Sequence, residues 1–182
     1  DGKTLVRLYE KALEYYQKIY RSPEGEEARR YMAARGFSEQ VLESFEVGFA
    51  LDGWRGLTDT LSREGFREDM LLKSGLINRS PKGSLYDLFR ARVLFPIRSA
   101  QGKVIGFGGR VISPDGKPKY LNSPETDHFK KGKVRFALQM AKKNLANEKP
   151  RLLIVEGYLD CLRLHEAGFK NTVATLGTAL TE

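Results

Sequence analysis

The sequence predicts an α+β fold: a mixed first part in which helices precede a small sheet, followed by the opening βαβ piece of an α/β unit. Three observations carry this. Apolar residues recur at three- and four-residue spacing through the first half. After Gly83 that periodicity gives way to short apolar runs bounded by glycine turns. The last 32 residues then read strand, helix, strand.

Leu5, Leu8, Tyr9, Ala12, Leu13, Tyr16 and Ile19 share one helical face and predict a helix over 4–20, ended by Ser22-Pro23. Pro23 and the acidic residues Glu24, Glu26 and Glu27 suit the start of a second helix over 24–34, and Gly36 suits its end. Ser38 reads as the next N-cap. Short helices follow near 41–45, 56–64 and 68–74, with Gly65 and Gly75 as stops. Val93-Leu94-Phe95-Pro96-Ile97 and Val104-Ile105-Gly106-Phe107 are two strands around the turn Ala100-Gln101-Gly102. Lys119-Tyr120-Leu121-Asn122-Ser123-Pro124 is too rich in Pro and Asn for a central strand and is expected as an ordered loop. A helix over 135–145 and the break Asn147-Glu148-Lys149-Pro150 divide the chain into 1–148 and 149–182. Beyond the break, Leu152 to Val155 reads as a buried strand, 158–167 as a helix and 172–176 as a second strand.

Composition narrows the function classes. The 41% apolar content supports a real core, and no apolar run approaches the roughly 18 residues of a spanning helix, so no membrane role is expected. Cys161 is the one cysteine and His128 and His165 the two histidines, which excludes a disulfide framework or a Cys/His zinc site within the chain and fits a cytoplasmic protein. The net charge is +8, and the stretch 84–133 carries ten basic and four acidic residues, hence +6 of it. Such clustering favours a polyanion such as nucleic acid; a solvated basic face is the alternative.

Glu156 stands at the carboxyl end of the strand Leu152 to Val155, directly before Gly157, with Asp160 one helical turn on. In parallel sheets that edge binds ligands, so the carboxylate is placed to hold a divalent metal or move a proton; capping the following helix is the competing role. Gly106-Phe107-Gly108-Gly109-Arg110 lacks the G-x-x-x-x-G-K pattern of a phosphate loop, and glycines in a strand permit close approach of a ligand or of packed groups. Arg90 and Arg92, at i and i+2, share a face if their segment is extended and would then grip successive phosphates.

Phe89-Arg90-Ala91-Arg92-Val93-Leu94-Phe95-Pro96-Ile97, Gly106 to Arg110, Lys119-Tyr120-Leu121-Asn122-Ser123-Pro124-Glu125-Thr126, Val155-Glu156-Gly157-Tyr158-Leu159-Asp160 and Ala174-Thr175-Leu176-Gly177-Thr178-Ala179 occur in this order. Together they resemble the catalytic core of bacterial DnaG-type primases, from Gly83 to the end of the chain. Tyr31 to Phe37 and Phe45 to Ala50 match less distinctively. The resemblance implies an N-terminal α+β subdomain (1–148) followed by a truncated TOPRIM subdomain (149–182). It implies Glu156 as metal ligand and acid/base, with Mg2+ or Mn2+ as the cofactor and partner carboxylates absent from this chain. It also implies a basic ridge for nucleic acid, placed here on Arg35, Arg90, Arg92, Arg110, Lys119 and Lys131. The implied activity is DNA-templated synthesis of RNA primers in the primosome, on a single-stranded DNA template with ribonucleoside triphosphates. Zinc is expected only in an upstream domain and the replicative helicase through a C-terminal one, the fragment alone being inactive yet able to bind single strands. A nuclease or topoisomerase of the TOPRIM type, or a non-catalytic nucleic-acid-binding fragment, are the alternatives.

Overall fold

The computed structural model describes residues 2–145 and 150–177. Helix α1 (Gly2–Arg21) buries Leu5, Leu8, Tyr9, Ala12, Leu13, Tyr16 and Tyr20, the expected stripe except that Tyr20 goes deeper than Ile19. A 3-10 turn (Pro23–Gly25) leads into α2 (Glu26–Ala34), and α3 (Glu39–Ser44) starts at the expected cap, the Ser38 hydroxyl accepting the Val41 N–H at 3.3 Å. Strand β1 (Gly48–Ala50) precedes α4 (Gly56–Arg63) and α5 (Glu68–Lys73); the hairpin β2 (Ile77–Arg79) and β3 (Leu85–Asp87) follows. Asp87 anchors α4 from outside, its carboxylate accepting the Leu57 and Thr58 N–H groups at 2.9 Å each and the Thr58 hydroxyl at 2.6 Å.

The central antiparallel sheet runs β1-β4-β5-β6, with β4 (Arg92–Arg98), β5 (Val104–Val111) and β6 (Tyr120–Asn122). Alternate β4 side chains enter two cores. Val93, Phe95 and Ile97 face the group around α2, α3 and the C-terminal unit, while Leu94 faces the group under α1, α4 and α5. Burial on both faces explains why β4 reads as one apolar run. Pro96 is tolerated in this interior strand because β1 pairs only with Arg92 to Leu94, so the missing N–H faces no partner strand.

The remaining part comprises α6 (Leu138–Lys142), β7 (Leu153–Val155), α7 (Tyr158–Glu166) and β8 (Thr172–Ala174), with β7 and β8 parallel. A bridge between Phe136 and Ala174 ties this unit to the first part. Three expectations are corrected. The predicted loop at 119–124 contains β6, an edge strand on Gly108 to Arg110. The predicted helix over 135–145 shrinks to α6, because Ala137 at φ +64 interrupts the backbone. The run Leu152 to Ile154 is not buried: these residues are 40%, 37% and 47% exposed, since among the described residues only β8 pairs with β7. The division at 148/149 lies outside the described residues. No helix among the described residues is long and apolar enough to cross a membrane.

Candidate nucleic-acid interface and carboxylate edge

Two residues far apart in sequence, Arg35 at the end of α2 and Arg110 on β5, meet across one phenol. The Arg35 guanidinium lies 3.6 Å from the Tyr31 ring centroid, and Arg110 Nε donates to Tyr31 Oη at 2.7 Å. The register pairing Arg110 with Tyr120 sets the second ring beside the same guanidinium, 4.9 Å from its centroid. Tyr120 is 38% exposed and its ring lies 6.3 Å from that of Tyr158 on α7. The result is an alternating cation and aromatic ladder, Arg35–Tyr31–Arg110–Tyr120, with exposed Lys119 adjoining its β6 end. Guanidinium planes and phenol rings hold phosphates and stack on bases. Tyr31 and Tyr120 were missing from the sequence-based ridge; the signal that could have found them is tyrosine interleaved with basic residues.

The other predicted grips divide. Ala91 has φ +49, so the segment 90–92 is kinked and Arg90 and Arg92 do not share a face. Arg90 lies with its guanidinium 4.0 Å from the Trp54 ring centroid and donates to the Asp87 carbonyl. Arg92 is 5% exposed, and its guanidinium donates to the carbonyl oxygens of Pro118 at 2.7 Å, Gly109 at 3.3 Å and Lys119 at 3.5 Å. Burial beside Arg90 lowers its pKa, three carbonyl dipoles serving in place of a carboxylate. This geometry corrects the phosphate-gripping role expected for Arg92: it braces the loop that carries Lys119 and Tyr120. Lys131 is half-buried in the 130–133 turn, where its N–H donates to Glu125 Oε1 at 2.8 Å.

The glycines of β5 serve packing. A side chain at Gly108 would stand 2.2 Å from the ring and hydroxyl of Tyr158; one at Gly109 would stand 2.9 Å from Phe89 and 3.1 Å from Arg92. In the Gly108 slot Tyr158 stacks on Phe95 at 5.2 Å and donates its hydroxyl to Asn122 Oδ1 at 2.6 Å. Asn122 Nδ2 in turn donates to the Leu176 carbonyl at 3.4 Å. Burial drives the Tyr158 phenol far up from its ordinary pKa, so it stays a neutral donor.

Glu156 is exposed at the carboxyl end of β7, two residues before Tyr158. It does not cap α7: Gly157 occupies the N-cap, with no side-chain hydrogen bond there. Its hard oxygens suit a divalent cation. Among the described residues, however, no three His, Cys, Asp or Glu side chains converge on a metal position, so Glu156 belongs to no complete ligand set there.

Residues 15–142 match the family described as DNA primase catalytic core, N-terminal domain, and residues 151–182 match the Toprim domain. A DNA primase of Deinococcus radiodurans is 45% identical over 171 residues, which cover 93% of this chain and 29% of that protein. A DnaG primase catalytic domain solved bound to single-stranded DNA superposes with a TM-score of 0.88 at 42% identity, over 99% of this chain and 57% of that one. The RNA polymerase domain of Mycobacterium tuberculosis primase DnaG, solved with a duplex bearing a 6-nucleotide overhang, gives 0.90 at 37%, over 98% and 56%. The chain thus spans about a third of the curated relative's length and somewhat over half of each solved domain. With the helices, the β1-β4-β5-β6 sheet and the opening of the α/β unit all in place, this chain belongs to the DNA primase catalytic-core family.

Proposed function

We propose that the protein containing this chain is a DNA-templated RNA polymerase that synthesises short RNA primers, and that residues 1–148 supply its single-strand-binding face while 149–182 begin its metal-binding TOPRIM unit. The observation that carries the reading is the Arg35–Tyr31–Arg110–Tyr120 ladder, which offers alternate phosphate and base contacts on one surface. Related domains solved with single-stranded DNA and with an overhanging duplex support it. Lys119 adds a point charge beside Tyr120, Lys131 is assigned a further one from the family resemblance, Arg90 adds a guanidinium stacked on exposed Trp54, and Arg92 acts from beneath by holding Pro118 and Lys119. The reaction joins a ribonucleotide 3′ oxygen to the α-phosphorus of an incoming triphosphate and expels pyrophosphate. A Mg2+ or Mn2+ ion held through Glu156, with carboxylates from beyond the described residues, would neutralise charge on the transferring phosphate. Triphosphate binding, an upstream zinc domain, a helicase partner and a cytoplasmic setting belong to the same proposal.

The test is Glu156→Gln in a longer protein competent for primer synthesis. It should abolish templated dinucleotide formation and leave single-stranded DNA affinity within about twofold, because a metal carboxylate supports the phosphoryl step and not the strand. Normal primer yield would reject the assignment.

A further inference from the structure

Four residues, Arg35 to Ser38, link α2 to α3, and helix ends of this kind leave backbone groups without partners. Here the partners come from α7, more than a hundred residues away. Arg163 donates from one guanidinium to the carbonyl oxygens of both Arg35 and Gly36, the second at 3.0 Å, and lies 4.2 Å from the Phe37 ring centroid. Glu166, one turn further along α7, accepts the Ser38 N–H at 2.7 Å and pairs with Arg163 at 3.2 Å. The charges are matched to the ends they meet: a cation at the carbonyl end of α2, a carboxylate at the amide end of α3. Gly36, at φ +76, makes the sharp reversal that turns both carbonyls toward α7. Hydrogen bonding from Ser38, the hydroxyl foremost and then the N–H, holds the Glu166 carboxyl below the usual carboxylate range.

The placement of this link bears on the ladder. Arg35, whose side chain rests on Tyr31, is the residue whose carbonyl Arg163 holds. Helix α7 starts two residues after Glu156. One short helix therefore starts just after the candidate metal carboxylate and, toward its other end, holds the backbone of the outer rung of the ladder. We infer that Arg163 and Glu166 are positioning residues for single-strand binding, capping the α2–α3 link from α7 so that Arg35 is set before the strand arrives.

The inference rests on the ladder reading, and sign separates it from simple charge. Attraction alone predicts that removing Glu166 tightens DNA binding and that Arg163→Lys, which keeps the charge, changes nothing. Positioning predicts the reverse, because a lysine lacks the rigid planar fork that meets both carbonyls while lying on the Phe37 ring, and a truncated Glu166 leaves the Ser38 amide uncapped. The experiment measures fluorescence anisotropy of a labelled oligo-dT with this chain at fixed salt, with circular dichroism to establish folding. Arg163→Lys and Glu166→Ala should each weaken binding by about fivefold, the order of one lost end-capping contact. Glu166→Gln, which retains an acceptor for Ser38, should bind at least as well as the parent. Unchanged binding by Arg163→Lys, or tighter binding by a folded Glu166→Ala, overturns the inference; should Glu166→Ala fail to fold, Arg163→Lys decides. Arg35→Ala separates the two levels. If it weakens binding while Arg163→Lys does not, the cap alone falls; if Arg35→Ala itself binds normally, the ladder reading falls as well.

Discussion

Replacing Gly108 by alanine isolates the packing that connects the two parts of the chain. The added methyl would sit 2.2 Å from both Cζ and Oη of Tyr158, so the ring must move out of its slot. Inserting one carbon into a filled core costs about 1–3 kcal/mol, and losing the Tyr158 hydrogen bond to half-buried Asn122 costs about 1 kcal/mol more. A total of about 2–4 kcal/mol lowers the midpoint of a domain this size by roughly 5–15 °C. Gly53→Ala is the control: nothing lies within 4 Å of a side chain there, so its melting temperature should stay within about 2 °C of the parent. Calorimetry on purified protein reads both. Relief by a second change, Tyr158→Ala, would show that the clash is the cause, through a double-mutant effect smaller than the sum. Equal melting of Gly108→Ala and Gly53→Ala would refute the packing account and return the glycine run to the role of a ligand cradle.

Two further outcomes follow from buried charges. Arg92→Met should destabilise the fold by about 2–4 kcal/mol in urea unfolding, because three carbonyls lose their donor, and should weaken DNA binding through Lys119 and Tyr120; unchanged stability would return Arg92 to the exposed grip. His165 is buried edge-on against Phe45 and hydrogen-bonded to the Thr172 carbonyl, and burial lowers its pKa below 6.5. The unfolded chain then binds the proton more readily, so stability falls as pH drops below about 6.5 toward the folded pKa. His165→Gln should flatten that fall between about pH 7.5 and 5.5 in urea titrations, and an equal slope in both proteins would sink the explanation.

The parts legible in the sequence are those with a long-range period or an unbroken apolar run. The α1 stripe and the β4–β5 hairpin extend far enough for spacing to decide. Strands β1, β2, β3 and β6 are three residues each, too short for alternation to register. The helix at 135–145 misled because helix propensity does not announce the left-handed Ala137. The position of Glu156 at the carboxyl end of β7 was legible because an apolar run ends directly before Glu156-Gly157, while its metal role is part of the proposal. Arg92 was misread for a backbone reason: i and i+2 share a face only in an extended chain, and Ala91, not a glycine, adopts positive φ between them. Basic residues interleaved with Tyr31 were a local signal, but its pairing with Arg110, 79 residues away, is one that no local pattern spans.

The central claim is that the ladder is where the single strand lies, and its salt dependence tests this most directly. Each phosphate contact on a single strand contributes about 0.7 to the slope of log affinity against log salt. Anisotropy titrations of a labelled oligonucleotide at several salt concentrations should show Arg110→Ala flattening that slope by about 0.7 and weakening binding at every salt, while Lys18→Ala, on the exposed side of α1, leaves both nearly unchanged. Equal losses from Lys18→Ala and Arg110→Ala would mean that the attraction is spread over the whole basic surface and that the ladder is not the strand's path.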